Sequence, residues 1–364
     1  MKRLKTILYP IKLPGNISFD IKKAYLEESG FEVYSFREGI KRIWQIDLIN
    51  YNFFEIIHSQ NGLVCIAKYL TKKLVISLTR LFGLKIVYTI HNKQGHDSRY
   101  PKFDISLMKT LLKASDGIVV LCDETRSYIE DLFGKTLYNT IENKIVKIPL
   151  VSYEGAYPEC DTNFREIWNI SQDEMVIMFL GGISRYKNIE FIIRYVNETK
   201  HEGVRFVLAG NGRKEYVDEL EEKLDTELKE KILFLPTYVK NEEIEGFVRA
   251  CDLFLIPLNQ NSSLNSGSCE LAFSHHRNVV CPEVGTIKEL PSGLCYSYEY
   301  NTEDEHYEHM KATLDYAISE FKSNRASFVE KQEKLYEFTK ENNAVEIIRE
   351  KYAELYLRLC DSRR

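Results

Sequence analysis

Met175–Asn188 reads MVIMFLGGISRYKN. Six consecutive apolar residues ending at two glycines are too short for a buried helix and suit a strand covered on both faces, as parallel sheets are. The polar turn leads into a helical pattern over Ile189–Thr199, giving a strand, a glycine loop and a helix. Downstream the alternation continues with strand Arg205–Ala209, the turn Gly210-Asn211-Gly212, an acidic helix Glu215–Leu228, strand Ile232–Leu235 and a short helix ending at Ala250. Strand Leu253–Ile256, a long polar loop, helix Cys269–Phe273, strand Asn278–Cys281 and a wholly helical tail from Glu308 complete it. Upstream the same rhythm runs from strand Thr6–Tyr9 through the loop Pro10–Asn16 and a helix stopped at Gly30. Further strands are expected at Phe31–Phe36, Asp47–Ile49, Ile56–His58, Lys85–Ile90, Gly117–Leu121 and Ile145–Ile148, with helices Leu63–Phe82 and Ile105–Ala114. The reading is α/β: two Rossmann-like βα domains in tandem, residues 1–155 and 156–340 followed by 341–364, with ligand expected in the cleft between them.

The length of 364 residues suits two domains, and 44% apolar with 28% charged residues excludes disorder, collagen and coiled coil. The net charge of −5 conceals a split. Residues 1–155 hold 23 basic and 16 acidic side chains, a net +7, and residues 156–364 hold 26 and 38, a net −12. The eight cysteines lack metal-site spacing and read as reduced core thiols. The start, MKRLKTILYPIKLPGN, is interrupted by Pro10 and Lys12 and is no signal peptide. The most apolar stretch, Leu74–Ile90, is broken by Arg80, Gly83 and Lys85, so no membrane span is expected and the chain is placed in the cytoplasm.

Three loops of the second half suit a phosphorylated ligand. In Gly181-Gly182-Ile183-Ser184-Arg185-Tyr186-Lys187-Asn188 the glycines admit close backbone approach, and Arg185 and Lys187 offer cations to a diphosphate. Gly210-Asn211-Gly212-Arg213 is a second glycine turn after a strand. The third, Pro257 to Leu271, carries Asn261 in an Asn/Ser loop and ends in Ser266-Gly267-Ser268 at a helix start. There a serine caps the helix, free N–H groups face a phosphate, and Glu270 is placed for ribose hydroxyls.

In this order, GGISRYKN, VLAGNG, ACDLFLIP, SGSCELAF and VVCPEVGTIKEL resemble the nucleotide-sugar-binding domain of GT-B glycosyltransferases over about 110 residues. KIVYTIHNKQGHD, ASDGIVVLCDETRSYI and KIVKIPL look like the acceptor domain of that superfamily. The resemblance implies a glycosyltransferase of the bacterial capsule and exopolysaccharide branch of group 1; with no Asp-x-Asp motif, and with Lys187, Arg185 and the helix start at Ser268 to meet the diphosphate, it is expected to need no metal or other cofactor. It also implies a C-terminal helix, 341–364, that crosses back to the first domain. The donor would be a nucleoside-diphosphate sugar, UDP-linked by preference and GDP-linked as the second option. It would be held by Gly181, Gly182, Arg185, Lys187, Asn211, Gly212, Asn261, Ser266, Gly267, Ser268 and Glu270, with Gly15 and Asn16 on the acceptor-side loop. The acceptor would be a lipid-linked or polysaccharide glycan.

Two departures matter. Retaining members carry two glutamates with seven residues between them; Glu270 matches the second, and Ser262 stands where the first would fall. Gly182 occupies the place of a phosphate-binding arginine, for which Arg185 is the substitute. Retention and inversion both stay open. Inversion needs a base within hydrogen-bond reach of the acceptor hydroxyl. Strand KIVYTI delivers His91, His96 and Asp97 to the sheet edge, with Asp97 the natural base, His96 the second choice and His91 a contact to sugar or phosphate. There is no Asp-x-Asp motif, and Glu303-Asp304-Glu305 reads as a solvated loop.

Residues 63–113 hold ten basic and two acidic side chains, with Leu63, Ala67, Leu70, Leu74, Leu78 and Leu81 on one helical stripe. That stripe either packs into the core or, with its cations, rests on the anionic inner face of the cell membrane. The acidic total and the lack of a reader motif argue against nucleic acid. Two other functions fit the same residues: a nucleotide-sugar epimerase of GT-B architecture, and a non-catalytic sugar-nucleotide-binding assembly partner.

Overall fold

The computed structural model describes residues 3–361 apart from 58, 60, 94, 96–98 and 200. Twelve strands among these residues form two parallel six-stranded sheets. The first contains β1 (Lys5–Tyr9), β2 (Glu32–Tyr34), β3 (Leu48–Asn52), β4 (Lys85–Ile90), β5 (Gly117–Val120) and β6 (Ile145–Lys147), in the order β2-β1-β3-β4-β5-β6. The second contains β7 (Met175–Leu180), β8 (Val204–Ala209), β9 (Ile232–Leu235), β10 (Leu253–Leu255), β11 (Asn278–Pro282) and β12 (Tyr296–Tyr298), in the order β12-β11-β10-β7-β8-β9. Every residue of β7 is buried, as its unbroken apolar run requires. Strand order reverses between β1 and β3 in the first sheet and between β7 and β10 in the second, and ligands of open α/β sheets bind outside the strand ends at such points.

The chain divides into two compact units. One comprises Met1–Val151, Asn261–Asn265 and Asn342–Arg364; the other comprises Ser152–Gln260 and Ser266–Glu341. The last helix, Val345–Asp361, is part of the first unit's core: Tyr352 stacks on Tyr25 with centroids 5.9 Å apart, and Tyr356 meets Phe31 edge-on at 5.6 Å. All eight cysteines are buried free thiols.

Four local expectations need correction, and one that stood open is narrowed. Only Glu32–Tyr34 of FEVYSF is strand, because Ser35 and Glu38 form a capping box that starts a helix at Phe36. Ile56 and Ile57 lie outside any strand and His58 lies outside the described residues; β3 ends at Asn52, and Phe53, with a φ of +52°, turns the chain away. The acidic helix breaks in two, Lys214–Glu221 and Thr226–Lys231, the second capped by Asp225. The Glu303–Glu305 run is the first turn of helix Glu303–Ser323, capped by Thr302, where carboxylates favour the helix dipole. Finally, the leucine stripe of helix Gly62–Leu81 faces solvent; the core side of that helix is Cys65, Ile76 and Thr79.

Candidate functional site

In the second unit the loop after β7 is built against the loop after β8. Ile183 N–H donates to Asn211 O at 2.8 Å, and Gly181 N–H to Ala209 O at 3.0 Å. A side chain on Gly210, whose φ is +142°, would place Cβ 1.8 Å from Gly181 O; one on Gly212 would sit 2.6 Å from Ile183 O. Loop-to-loop packing therefore accounts for these two glycines. Gly182 differs: it is exposed, and a Cβ there would meet nothing within 4 Å.

A 3₁₀ turn, Arg185–Lys187, follows and closes on Asn188 in the left-handed region (φ +49°), a conformation Asn tolerates. Asn188 Nδ2 donates to Pro257 O at 2.7 Å and Asn259 N–H to Tyr186 O at 2.9 Å, tying this turn to the segment after β10. Arg185 is largely exposed and already paired: its guanidinium donates to both Glu219 oxygens at 2.6 and 2.7 Å and lies over Tyr216. Lys187 is buried, and no carboxylate or hydrogen-bond acceptor among the described residues holds its ammonium, which lies 5.2 Å from the Tyr186 ring. A buried cation without a counter-charge is costly unless an anion arrives to meet it.

The third loop is divided. Ser266 caps helix Gly267–Phe273, its hydroxyl accepting from Cys269 N–H at 3.2 Å, while Ser268 Oγ donates to Leu180 O at 2.8 Å and pins the helix start to the end of β7. Glu270 is buried in the first turn of that helix. Asn261, by contrast, belongs with residues 262–265 to the first unit.

In the first unit, Gly15 (φ +72°) and Asn16 form a tight turn after β1, and Asn16 Oδ1 accepts from Ser18 N–H at 3.2 Å. His91 leaves the end of β4. Asn52 Nδ2 donates to Tyr9 O at 3.0 Å, so Asn52 Oδ1, 3.1 Å from His91 Nε2, accepts from it. The imidazole stacks on Phe53 at 4.2 Å, and burial, with the Lys22 ammonium nearby, pushes it down to about 3. His91 is thus a neutral ring with its proton on Nε2. Asn265 Nδ2 donates to the His91 carbonyl at 2.7 Å, and Asn265 Oδ1 and Ser263 Oγ are buried without a partner among the described residues. Asn52 and Asn265 were missed by the sequence reading; the signal for Asn52 was an amide in an otherwise apolar strand, LINYN. His96 and Asp97 lie outside the described residues.

Residues 174–312 match the family described as glycosyl transferases group 1, bearing out the resemblance of the second half, and the fold is GT-B. An uncharacterized glycosyltransferase of Methanocaldococcus jannaschii is 27% identical over 133 residues, which is 34% of this chain and 32% of the relative. The match therefore spans about a third of that relative's length. Among solved structures, Anabaena HepE in complex with UDP and glucose superposes with a TM-score of 0.71 at 14% identity, covering 97% of this chain and 99% of that one. Trehalose 6-phosphate synthase of Burkholderia multivorans gives 0.72 at 11% identity and full coverage of both chains (100% each).

Proposed function

We propose that this protein is a glycosyltransferase that moves a sugar from a nucleoside-diphosphate donor to a hydroxyl of a lipid-linked or polysaccharide glycan. Capsule, exopolysaccharide or O-antigen synthesis at the cytoplasmic face of the membrane is the setting we infer. The observation that carries this reading is Lys187: a buried ammonium without a counter-charge among the described residues, in the loop after β7 where the second sheet reverses its order. It suits the leaving diphosphate, together with the N–H groups of Gly267 and Ser268 at the capped helix start. Glu270 would take the ribose hydroxyls, and Gly182 leaves room beside the ligand. Arg185, neutralised by Glu219, contributes little. UDP is the preferred nucleotide, in keeping with the UDP bound by Anabaena HepE.

In the transfer, the acceptor oxygen bonds to the anomeric carbon while the bond to the diphosphate breaks. We assign the acceptor proton to Asp97, with His96 as the second choice; an Asp97 base implies inversion. His91 is not that base, since an imidazole held at about 3 has too little proton affinity; its free Nδ1 offers a hydrogen bond to a sugar hydroxyl. Charge on the leaving group is met by Lys187 and backbone amides, so we expect turnover to survive EDTA.

The test is calorimetry with UDP and a panel of UDP- and GDP-sugars. Lys187→Ala is expected to weaken UDP roughly 10- to 100-fold, the worth of a charge-assisted contact, and Arg185→Ala less than about threefold. Equal losses, or no nucleotide binding by the wild type, would sink the reading. UDP released only with acceptor excludes an epimerase, and binding with no turnover on any glycan would favour the assembly-partner role.

A further inference from the structure

Helix Gly62–Leu81 turns Lys72 and Thr79 inward and its leucines outward. The inward Lys72 ammonium donates to the carbonyls of Phe54 and Ile56 at 2.8 and 2.6 Å, and the Thr79 hydroxyl lies 2.8 Å from Tyr51 Oη. On the opposite face Leu63 and Leu81 are each 79% exposed, Leu70 58% and Leu74 57%. The stripe continues past the helix end to Trp44, 83% exposed, whose ring meets Phe82 edge-on at 4.7 Å. At 1.5 Å per residue the helix extends an apolar edge about 30 Å long, of a kind that soluble surfaces leave open only for a partner.

Charge selects the partner. The helix holds Lys68, Lys72, Lys73 and Arg80 and no acid. At helical spacing Lys73 falls along one border of the stripe beside the paired Arg80, and Arg37, Lys41 and Arg42 precede Trp44. The nearby acids are engaged: Asp116 pairs with Arg80 at 2.9 Å, and Glu38 holds the Ser35 cap. A second copy seated on the stripe would set cationic border against cationic border with no carboxylate on either helix to answer them. An anionic bilayer answers both features, its acyl boundary taking the leucines, its headgroups the cations, and its interface the tryptophan. Among the described residues no helix is long and apolar enough to cross a membrane, so the contact is with the surface.

We propose that helix Gly62–Leu81 and Trp44 form a docking face that lies flat on an anionic lipid bilayer. That a lipid-linked acceptor waits there rests on the reading above; the docking face does not. The test is co-sedimentation of the full chain with vesicles of phosphatidylcholine alone and of phosphatidylcholine with an equal share of phosphatidylglycerol. The wild type pellets with the anionic vesicles and stays in solution with the neutral ones. L70E/L74E, both at exposed positions, lowers the bound fraction on anionic vesicles roughly tenfold or more, and K41E/K73E, which leaves the Arg80–Asp116 pair intact, lowers it severalfold. Circular dichroism and UDP binding confirm that each variant is folded. Equal binding to both vesicle types, indifference to L70E/L74E, or a dimer in sedimentation equilibrium that L70E/L74E splits would each overturn the proposal. Pelleting without UDP binding by the wild type would sink the donor-site reading and leave the docking face standing.

Discussion

Gly210 and Gly182 look alike in the sequence, each beside a partner glycine after a strand, and their reasons differ. Gly210 is a glycine because Gly181 O would lie 1.8 Å from any Cβ. Gly210→Ala should destabilise the second unit by about 1–3 kcal/mol, visible as a lowered Tm without ligand. Gly182→Ala should leave Tm unchanged, since its Cβ meets open space, and any loss should show in UDP affinity alone. A Tm penalty at Gly182 matching that at Gly210 would remove the argument that Gly182 makes room for ligand. His91 gives a pH prediction at the same scale. Its imidazole titrates near 6.5 when unfolded and about 3 when folded, so the unfolded chain binds the proton first as pH falls. The stability His91 contributes is present above about pH 6.5 and is lost progressively toward pH 3. The buried His306, lowered to about 4 by burial, acts in the same direction. Thermal melts from pH 7.5 to 5 should show a falling Tm, with a smaller fall in His91→Asn; an unchanged slope would mean that His91 is charged when folded.

At the scale of elements, legibility followed how local the cause was. Strands β4, β7 and β9 were readable to the residue, because a short apolar run between polar or glycine boundaries has few other homes. The helix Gly62–Leu81 was readable as a helix but not in its orientation: periodicity reports that a stripe exists, and only the packing of Lys72 and Thr79 shows which side faces the core. The donor loops were legible as a set, by order and residue type. The division of labour inside them was not, since the ion pair that neutralises Arg185 comes from Glu219 on the next helix, and Ser268 is bound to Leu180 O. For helix Gly267–Phe273 the roles of its two serines separate by experiment. Ser266→Ala removes the cap and should cost about 1 kcal/mol, a Tm loss of roughly 2–4 °C. Ser268→Ala should cost a similar amount by freeing the helix start from β7, and it should weaken UDP as well because the N–H groups lose their fixed position. A Ser268→Ala variant with unaltered UDP affinity would show that this anchor does not position the ligand.

On the scale of the whole molecule, sequence order and structural membership diverge at two places: residues 261–265 and the last helix both belong to the first unit. The last helix could be foreseen only through the family resemblance, because nothing local in VEIIREKYAELYLRLCD says what it packs on. For residues 261–265 the sequence offers no signal beyond neighbourhood, which points to the donor side; the fully buried Leu264 is what anchors them in the first unit's core. These memberships make truncation a selective experiment. Ending the chain at Asn343 removes Tyr352 and Tyr356, and with them the stack on Tyr25, the edge contact with Phe31 and the ring beneath the buried Lys22 ammonium. Removing two buried tyrosines alone forfeits roughly 3–5 kcal/mol each, comparable to the whole stability of a marginal domain. Hydrogen exchange should therefore rise across β1–β5 of the truncated chain while β7–β9 keep their protection, and UDP should still slow exchange in residues 181–188. Uniform loss of protection in both sheets would show that the second unit depends on the first for its stability, and retention in both would show that the terminal helix is dispensable to the core it joins.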